Sequence, residues 1–244
     1  MWTADLRRRG GRRARSLVRG GRTLDPMSPV HRAAGPPGLE PLARRLRALP
    51  PSCGPVRLVG IDGHAGSGKS TFADRLAVAL GGAPVLRLDD VRSHDALFDW
   101  TERLDKSAIE PFRHGRAGSV APYDWERRRY GPERTVEAAP VVLIEGVGAG
   151  RASLRPHLAW LVWMDVPRDT AWTRGRGRDG SVQSGFWDTW EPAERTHFAG
   201  DPTEPWADTV VRQRPEGYLL LPGPRRTAGQ PHTATESDGP SAMR

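Results

Sequence analysis

A glycine-rich segment, residues 63–70, has the residue types and spacing that bind phosphate groups. It reads G-H-A-G-S-G-K-S, which matches G-x-x-x-x-G-K-S, and it stands between an apolar run and a helical pattern. Its glycines allow backbone N–H groups to point at phosphate oxygens. Lys69 supplies a mobile positive charge, Ser70 offers a hydroxyl to Mg²⁺, and the dipole of the following helix attracts anions. The predicted phosphate-binding loop consists of Gly63, His64, Ala65, Gly66, Ser67, Gly68, Lys69, Ser70 and Thr71.

Acidic side chains at the ends of predicted strands are candidates for the chemistry itself. Asp89 and Asp90 end the run P-V-L-R-L-D-D, and Glu145 ends V-V-L-I-E. Ligands in an open α/β sheet bind beyond the carboxyl ends of its strands. Glu145 is therefore predicted to hold Mg²⁺ or its waters, and Asp89 or Asp90 to take a proton from an attacking hydroxyl. Asp165, at the end of a later strand, is predicted to cap the helix that follows.

Three arginines, Arg174, Arg176 and Arg178, lie in the glycine-interrupted segment R-G-R-G-R-D-G. Such a segment can form a mobile lid, here about residues 174–184, that brings guanidinium groups onto transferring phosphates. A solvated basic loop is the alternative, and the residues alone do not decide between the two.

A parallel sheet with flanking helices must position these groups. Apolar runs predict strands at 56–62, 84–90, 141–145, 159–166 and 208–212, with a short strand at 133–137. Helical patterns occur at 39–49, 69–80, 151–157, 168–178 (dissolving into a loop toward its end) and 186–198, and residues 93–115 lean toward helix. The alternation predicts an α/β fold, a doubly wound sheet of about five parallel strands flanked by helices, which together with the phosphate loop is a P-loop NTPase fold. Small insertions, one of them the lid, are expected beside this sheet.

Composition restricts the domain organisation and the partners. Residues 1–50 contain twelve arginines and three acids, whereas the rest of the chain contains 25 basic and 26 acidic residues. The basic excess therefore belongs to a leader and not to the domain. The leader is predicted to be disordered over 1–38, with Met27 as an alternative start. The domain is predicted at 39–221, followed by a disordered tail at 222–244. This distribution argues against a nucleic-acid partner. The single cysteine fits a cytoplasmic setting, and no apolar run approaches the length of a membrane span.

Together these motifs resemble the uridine kinase-like branch of P-loop kinases, which includes phosphoribulokinase and bacterial pantothenate kinase. The resemblance covers about residues 55–213 and is strongest to small actinobacterial members. It rests on I-D-G-H-A-G-S-G-K-S-T, L-D-D, P-Y-D-W-E-R-R-R, V-L-I-E-G-V, the R-x-x-x-R-D segment and A-D-T-V-V, in that order.

The resemblance implies roles for individual residues. Asp89 would be the catalytic base, Glu145 would help to hold Mg²⁺, and Arg178 would be a lid arginine. Arg174 is assigned to ATP with Arg178. The predicted acceptor-binding residues are Asp90, Asp99, Glu102, Tyr123, Arg128 and Arg176. Within this set Tyr123 would contact the nucleobase, Asp99 or Glu102 would hold the ribose, and Arg128 stands near the place of a histidine that reads uracil.

The resemblance therefore implies an ATP-dependent small-molecule kinase that uses Mg²⁺ and phosphorylates the 5′-hydroxyl of a pyrimidine nucleoside. Its partners would be ATP and a small hydroxyl acceptor, without nucleic acid or membrane. The region after Asp90 departs most from the family, which leaves pantothenate or sugar-type acceptors open. A nucleotide-binding regulatory protein and a nucleic-acid binder that uses the leader are further alternatives. A GTPase is disfavoured because no N-K-x-D motif follows the later strands.

Overall fold

The protein is described here by a computed structural model of residues 38–181 and 184–227. The strands are β1 (Arg57–Asp62), β2 (Val85–Arg87), β3 (Gly118–Val120), β4 (Tyr123–Asp124), β5 (Arg129–Tyr130), β6 (Arg134–Val136), β7 (Val141–Glu145), β8 (Leu158–Met164), β9 (Thr209–Arg214) and β10 (Gly217–Pro222). The helices are α1 (Glu40–Arg47), α2 (Lys69–Ala79), α3 (Leu88–Val91), α4 (Thr101–Leu104), α5 (Glu110–Arg113), α6 (Arg168–Asp179), α7 (Ser184–Gly200) and α8 (Pro224–Thr227). The predicted disorder of residues 1–37 and 228–244 and the predicted lid residues 182–183 lie outside the described residues.

The central sheet has the strand order β10-β9-β8-β1-β7-β2. The strands β9, β8, β1, β7 and β2 run parallel, and β10 pairs antiparallel with β9 at one edge. The predicted sheet of about five parallel strands is thus confirmed. The antiparallel edge strand β10 was not predicted, and it follows the last predicted strand after a two-residue turn.

Both faces of the sheet are covered, which explains why its central strands are apolar without alternation. Alternate residues of β7 point to opposite faces: Val142 and Ile144 pack in one core cluster with Trp100 and Phe112. Val141 and Leu143 belong to the other cluster, which includes Leu39, Leu42, Leu46, Phe72 and Leu76 from α1, its preceding residue and α2. The predicted helix at 39–49 therefore packs on the same face as α2.

The strand predicted over 84–90 ends earlier, at Arg87. Its ladder with β7 stops at the pair Arg87 and Glu145, so the backbone loses its partner and turns into the short helix α3. The amide of Arg92 then donates to the carbonyl of Leu88 at 3.0 Å. Asp89 and Asp90 consequently lie on a helical turn beyond the strand and not within it.

The helix predicted to dissolve within residues 168–178 is regular as far as Asp179. Gly175 lies within this helix, and its lack of a side chain makes room for the indole of Trp187, which would be 2.3 Å from a Cβ at this position. Gly180, with φ of 71°, ends the helix. Arg174, Arg176 and Arg178 therefore stand on an ordered helix and not on an irregular loop, which corrects the loop prediction for this segment.

Small additions surround the central sheet. The predicted strand at 133–137 is β6, and it pairs with β3 outside the central sheet. The predicted helix-leaning region contains α4 and α5, joined by a π-helical turn at Asp105–Ile109, whereas only Arg155–His157 of the helix predicted at 151–157 is helical, as a 3₁₀ turn. Among the described residues, no helix combines the length and the apolar character needed to cross a membrane.

Candidate active site

The predicted phosphate loop connects the end of β1 to the start of α2. Gly66, with φ of 83°, also allows a close approach to α6, since a Cβ on this residue would lie 2.0 Å from the carbonyl oxygen of Ala171. The buried ammonium group of Lys69 folds back over the loop and donates to the carbonyl oxygens of Gly63 and His64, each at 2.9 Å. The loop thus holds its cation inside its own curve, where phosphate oxygens would meet it.

Glu145 lies beside the loop and is joined to it by a hydrogen bond. Its Oε1 accepts from Ser70 Oγ at 3.1 Å and from Arg87 Nη1 at 2.8 Å. Arg87 also donates to Asp74 on α2 at 2.6 Å. Burial and the nearby charge of Asp89 raise the pKa of Glu145 above its ordinary value, despite the opposing effects of Lys69 and Arg87.

The donor atoms of Ser70 and Glu145 suit Mg²⁺, which prefers hard oxygen ligands. Within the described ranges, no group of three or more His, Cys, Asp or Glu residues could hold a metal ion by itself. A magnesium ion at Ser70 and Glu145 would therefore need nucleotide phosphate oxygens and water to complete its coordination, as is usual for this metal.

The two adjacent aspartates have different surroundings. Asp89 is 68% exposed at its side chain and lines the same cleft as the phosphate loop, with Arg92 Nε 3.5 Å from its carboxylate. Asp90 turns away from the cleft and pairs with Arg134 at 3.1 Å. Burial raises the pKa of Asp90, although the charge of Arg134 opposes this shift. Of the two candidate bases, only Asp89 faces the cleft.

One cleft of about 450 Å³ brings most of the predicted catalytic, nucleotide and metal residues together. Those on its wall are Ala65, Gly66, Gly68, Lys69, Ser70, Thr71, Asp89, Glu145, Arg174 and Arg178. Arg174 donates to Gln213 at 3.0 Å, and Arg178 pairs with Asp179 at 2.6 Å. Arg176 does not line the cleft and pairs instead with Glu191 and Asp188 on α7.

The other predicted acceptor-binding residues also lie off the wall of this cleft. Tyr123 is buried, and its hydroxyl makes a 2.9 Å hydrogen bond with His94. Glu102 is exposed and pairs with Lys106. Arg128, with φ of 52°, lies in the exposed turn between β4 and β5, and Asp99 is exposed.

Four aromatic side chains line this cleft instead, and we call them the aromatic wall: Trp125, Phe186, Trp187 and Trp190. The indole N–H of Trp125 donates to the backbone carbonyl of Asp89 at 3.1 Å. The ring of Phe186 lies edge-on to Trp125 at 5.3 Å and stacks on Trp190 at 5.6 Å. This wall was not predicted, although G-F-W-D-T-W at a predicted helix places three of these rings within one and a half turns.

No protein-family model matches the chain. Among curated proteins, the chain is 29% identical over 113 residues to the inorganic pyrophosphatase TTM2 of Arabidopsis thaliana, a match that spans 42% of this chain and 17% of that protein. Among solved structures, it is similar to a possible uridine kinase from Bacillus stearothermophilus, with a TM-score of 0.50 and 22% identity over 70% of this chain and 96% of that chain. The fold is that of the P-loop kinases.

A second solved structure, a candidate fructose transport system kinase from Silicibacter sp. TM1040, has a TM-score of 0.43 and 23% identity, and the match covers 57% of this chain and 80% of that chain. The P-loop kinase fold agrees with the predicted class, a mostly parallel sheet flanked by helices. It places the phosphate loop and Glu145 at the carboxyl edge of two paired strands, β1 and β7.

Two buried carboxylates behind the loop were not predicted. Asp62 accepts four hydrogen bonds, from the amides of Gly63, Gly148 and Gly150 and from the hydroxyl of Thr203. Its position at the end of an apolar run could have identified Asp62 as a candidate residue from the sequence. Glu194, in the middle of α7, also accepts four hydrogen bonds, and its sequence neighbourhood carries no comparable signal.

The buried side chain of Arg92 was not predicted to belong to the site either. Its guanidinium donates to the carbonyls of Leu88 and Val147 beside the ring of Trp190. The helix-capping prediction for Asp165 is wrong. The first turn of α6 has no side-chain cap, and Asp165 accepts from Arg212 Nε at 2.6 Å. The backbone of β9 brings this arginine within reach because the amide of Asp165 also donates to the carbonyl of Val211.

Proposed function

We propose that this protein transfers the γ-phosphoryl group of ATP to a hydroxyl group of a small acceptor, and that a pyrimidine nucleoside with its 5′-hydroxyl is that acceptor. One observation carries the proposal: the Asp89 carboxylate opens into the same cleft as Lys69 and Ser70 of the phosphate loop. A phosphate cradle alone would suit any nucleotide-binding protein, whereas a cradle that faces an exposed carboxylate suits phosphoryl transfer to a hydroxyl.

The charges around the cleft have separate tasks in this reaction. The loop amides and Lys69 bind the β- and γ-phosphates, and Arg174 and Arg178 approach them from α6. Ser70 and Glu145 would hold Mg²⁺, which when bound neutralises charge on the phosphate oxygens. The surrounding walls exclude part of the water that would otherwise compete as acceptor.

Asp89 is assigned as the base. The acceptor oxygen forms a bond to the γ-phosphorus while the bond from this phosphorus to the β–γ bridging oxygen breaks, and ADP leaves with that electron pair. The hydroxyl proton passes to the Asp89 carboxylate, whose 68% exposed side chain can return it to solvent. Arg92, at 3.5 Å, places a positive charge beside the ionised form of this base.

The aromatic wall supports an acceptor with a flat ring, because planar rings stack well on indole and phenyl faces. A specific observation also supports a second class of acceptor. Asp99, Glu102, Tyr123 and Arg128, which the nucleoside assignment used, do not line the cleft. Pantothenate and sugar-type acceptors therefore belong in the same test.

The test is ADP release by the purified full chain with Mg-ATP and a panel of uridine, cytidine, pantothenate and simple sugars. We expect acceptor-dependent ADP release with the pyrimidine nucleosides, and a loss of about 10²- to 10⁴-fold in kcat for Asp89→Asn with nucleotide binding retained. Lys69→Ala should abolish thermal stabilisation by Mg-ATP. ATP binding without ADP release for any acceptor would favour a regulatory protein, and a loss confined to Asp90→Asn would move the base to Asp90.

A further inference from the structure

A buried carboxylate connects the two sides of the cleft. Glu194 is fully buried in the middle of α7, and both of its oxygens accept two hydrogen bonds. Oε1 accepts from His64 Nδ1 at 2.7 Å and from the indole of Trp172 at 3.1 Å. Oε2 accepts from the amide of Ala65 at 3.2 Å and from the indole of Trp190 at 2.6 Å.

The four donors come from three different walls of the cleft. His64 and Ala65 belong to the phosphate loop, Trp172 belongs to α6 between the loop contact at Ala171 and Arg174, and Trp190 belongs to the aromatic wall. Ala65 and Trp190 themselves line the cleft, on its nucleotide side and its acceptor side. A single carboxylate therefore fixes the phosphate loop relative to α6 and to the aromatic wall.

The electrostatic balance keeps Glu194 charged. Burial alone would raise its pKa, but the hydrogen bond from His64, the charges of Lys69 and His64 and the bond from Trp190 outweigh burial, and the pKa is lowered. A buried carboxylate is an expensive way to stabilise a core, since apolar residues of similar volume often serve as well or better. All four hydrogen bonds of Glu194 are made directly behind the phosphate loop, so a role in positioning that loop explains the carboxylate better than a role in stability.

We propose that Glu194 is a positioning residue that presets the phosphate loop, through His64 and Ala65, for nucleotide binding against the aromatic wall. The inference rests on the proposed function, because it takes the loop as the nucleotide site. Glu194 touches neither reacting group. Its removal should raise the dissociation constant and KM for the nucleotide while leaving kcat close to that of the wild type, since Asp89 and Lys69 remain in place.

Glu194→Gln tests this with little change of shape. Glutamine has one oxygen to accept and an NH₂ group that would face N–H donors, so part of the four-donor arrangement breaks. We expect the dissociation constant for Mg-ADP, measured by calorimetry, to rise about tenfold or more, the scale of one lost charge-assisted hydrogen bond. Glu191→Gln is the matched control, because Glu191 lies on the same helix one turn away, pairs with Arg176 and does not touch the loop.

Variants of His64 test the same contact from the loop. His64→Ala should weaken Mg-ADP binding, and His64→Gln, which keeps an N–H donor, should restore part of the affinity. The double variant His64→Ala with Glu194→Gln should lose less affinity than the sum of the two single losses, because both changes disturb the contact between His64 and residue 194. A general loss of stability would not produce this rescue and this lack of additivity. If Glu194→Gln fails to fold, the comparison of His64→Ala with His64→Gln decides the question.

Unchanged Mg-ADP affinity in Glu194→Gln, equal losses in Glu191→Gln and Glu194→Gln, or failure of His64→Gln to exceed His64→Ala would each overturn the inference. The binding measurement needs no acceptor. The proposed function fails separately, if the wild type binds nucleotide but releases no ADP with any acceptor.

Discussion

The buried carboxylate of Asp62 offers the sharpest test of how the site is held together. Its Oδ1 accepts from the amides of Gly63 and Gly148 at 2.7 and 2.9 Å. Its Oδ2 accepts from the amide of Gly150 at 2.9 Å and from the hydroxyl of Thr203 at 2.7 Å. The carboxylate thus ties the first residue of the phosphate loop to the loop after β7 and to the segment after α7.

Asp62→Asn keeps the shape of the side chain but replaces one of its two acceptor oxygens with an NH₂ donor. If the amide oxygen stays with Gly63 and Gly148, the new NH₂ group can donate to the hydroxyl of Thr203, but it meets the N–H of Gly150 donor to donor. One charge-assisted hydrogen bond is lost and one buried N–H is left without an acceptor. Hydrogen bonds to charged groups contribute about 1.5–3 kcal/mol each, so we expect Asp62→Asn to lower the free energy of unfolding by about 2–4 kcal/mol.

The measurement is urea unfolding followed by tryptophan fluorescence and circular dichroism, with the free energy of unfolding obtained by linear extrapolation. Asp165→Asn is the control, because Asp165 directly follows the sheet strand β8 but forms a partly exposed pair with Arg212, with side-chain exposures of 29% for Asp165 and 52% for Arg212. Exposed pairs of this kind contribute about 0–1 kcal/mol. A loss below about 1 kcal/mol for Asp62→Asn with an unchanged m value, or an equal loss in the control, would refute the reasoning.

Three further predictions concern the loop and its surroundings. The folded-state pKa of Glu145 lies above its ordinary 4.5. The free energy of unfolding of the wild type, relative to that of Glu145→Gln, should therefore fall as the pH rises from about 4.5 through that raised pKa. A pH-independent difference between the two proteins would contradict the shift. Gly66→Ala should lose nucleotide binding, since its Cβ would clash with α6, whereas Gly81→Ala, with φ of 85° but open space around it, should retain it; similar binding by both would count against the clash. Cys53 is buried, with its pKa raised from 9.0 to about 11, so iodoacetamide at pH 8 should label it far more slowly in the native protein than in urea, and equal rates would show that the thiol is accessible.

The phosphate loop motif, the parallel sheet and the position of Glu145 could be predicted from the sequence because each depends on a local pattern. The loop needs glycines, a lysine and a serine at set distances along one short segment, and buried parallel strands are continuous apolar runs. The end of β7 was also visible as the end of an apolar run, which is why Glu145 could be named before any contact was known, whereas the strand before Asp89 ends two residues earlier, at Arg87. The roles predicted for these residues remain to be tested by the experiments above.

The aromatic wall and the residues around it could not be predicted in the same way. Tyr123 and Trp125 are two residues apart in one small hairpin, yet only Trp125 reaches the cleft, while Tyr123 is buried against His94. Arg176 and Arg178 are also two residues apart on α6, where a separation of two puts side chains on different faces. Which member of each pair lines the cleft depends on how the hairpin and the helix pack, and the residue types do not contain that information.

Local spacing and burial patterns suffice to predict that a phosphate loop follows a buried strand and that parallel strands place acids at the same edge of the sheet. Three features depend on packing in three dimensions: Asp89 and not Asp90 faces the cleft, the aromatic wall lines it, and Glu194 lies behind the loop. Glu194 lies 130 residues beyond His64. A contact across that separation is set by the packing of α7 against the loop, and no periodicity along the chain records it.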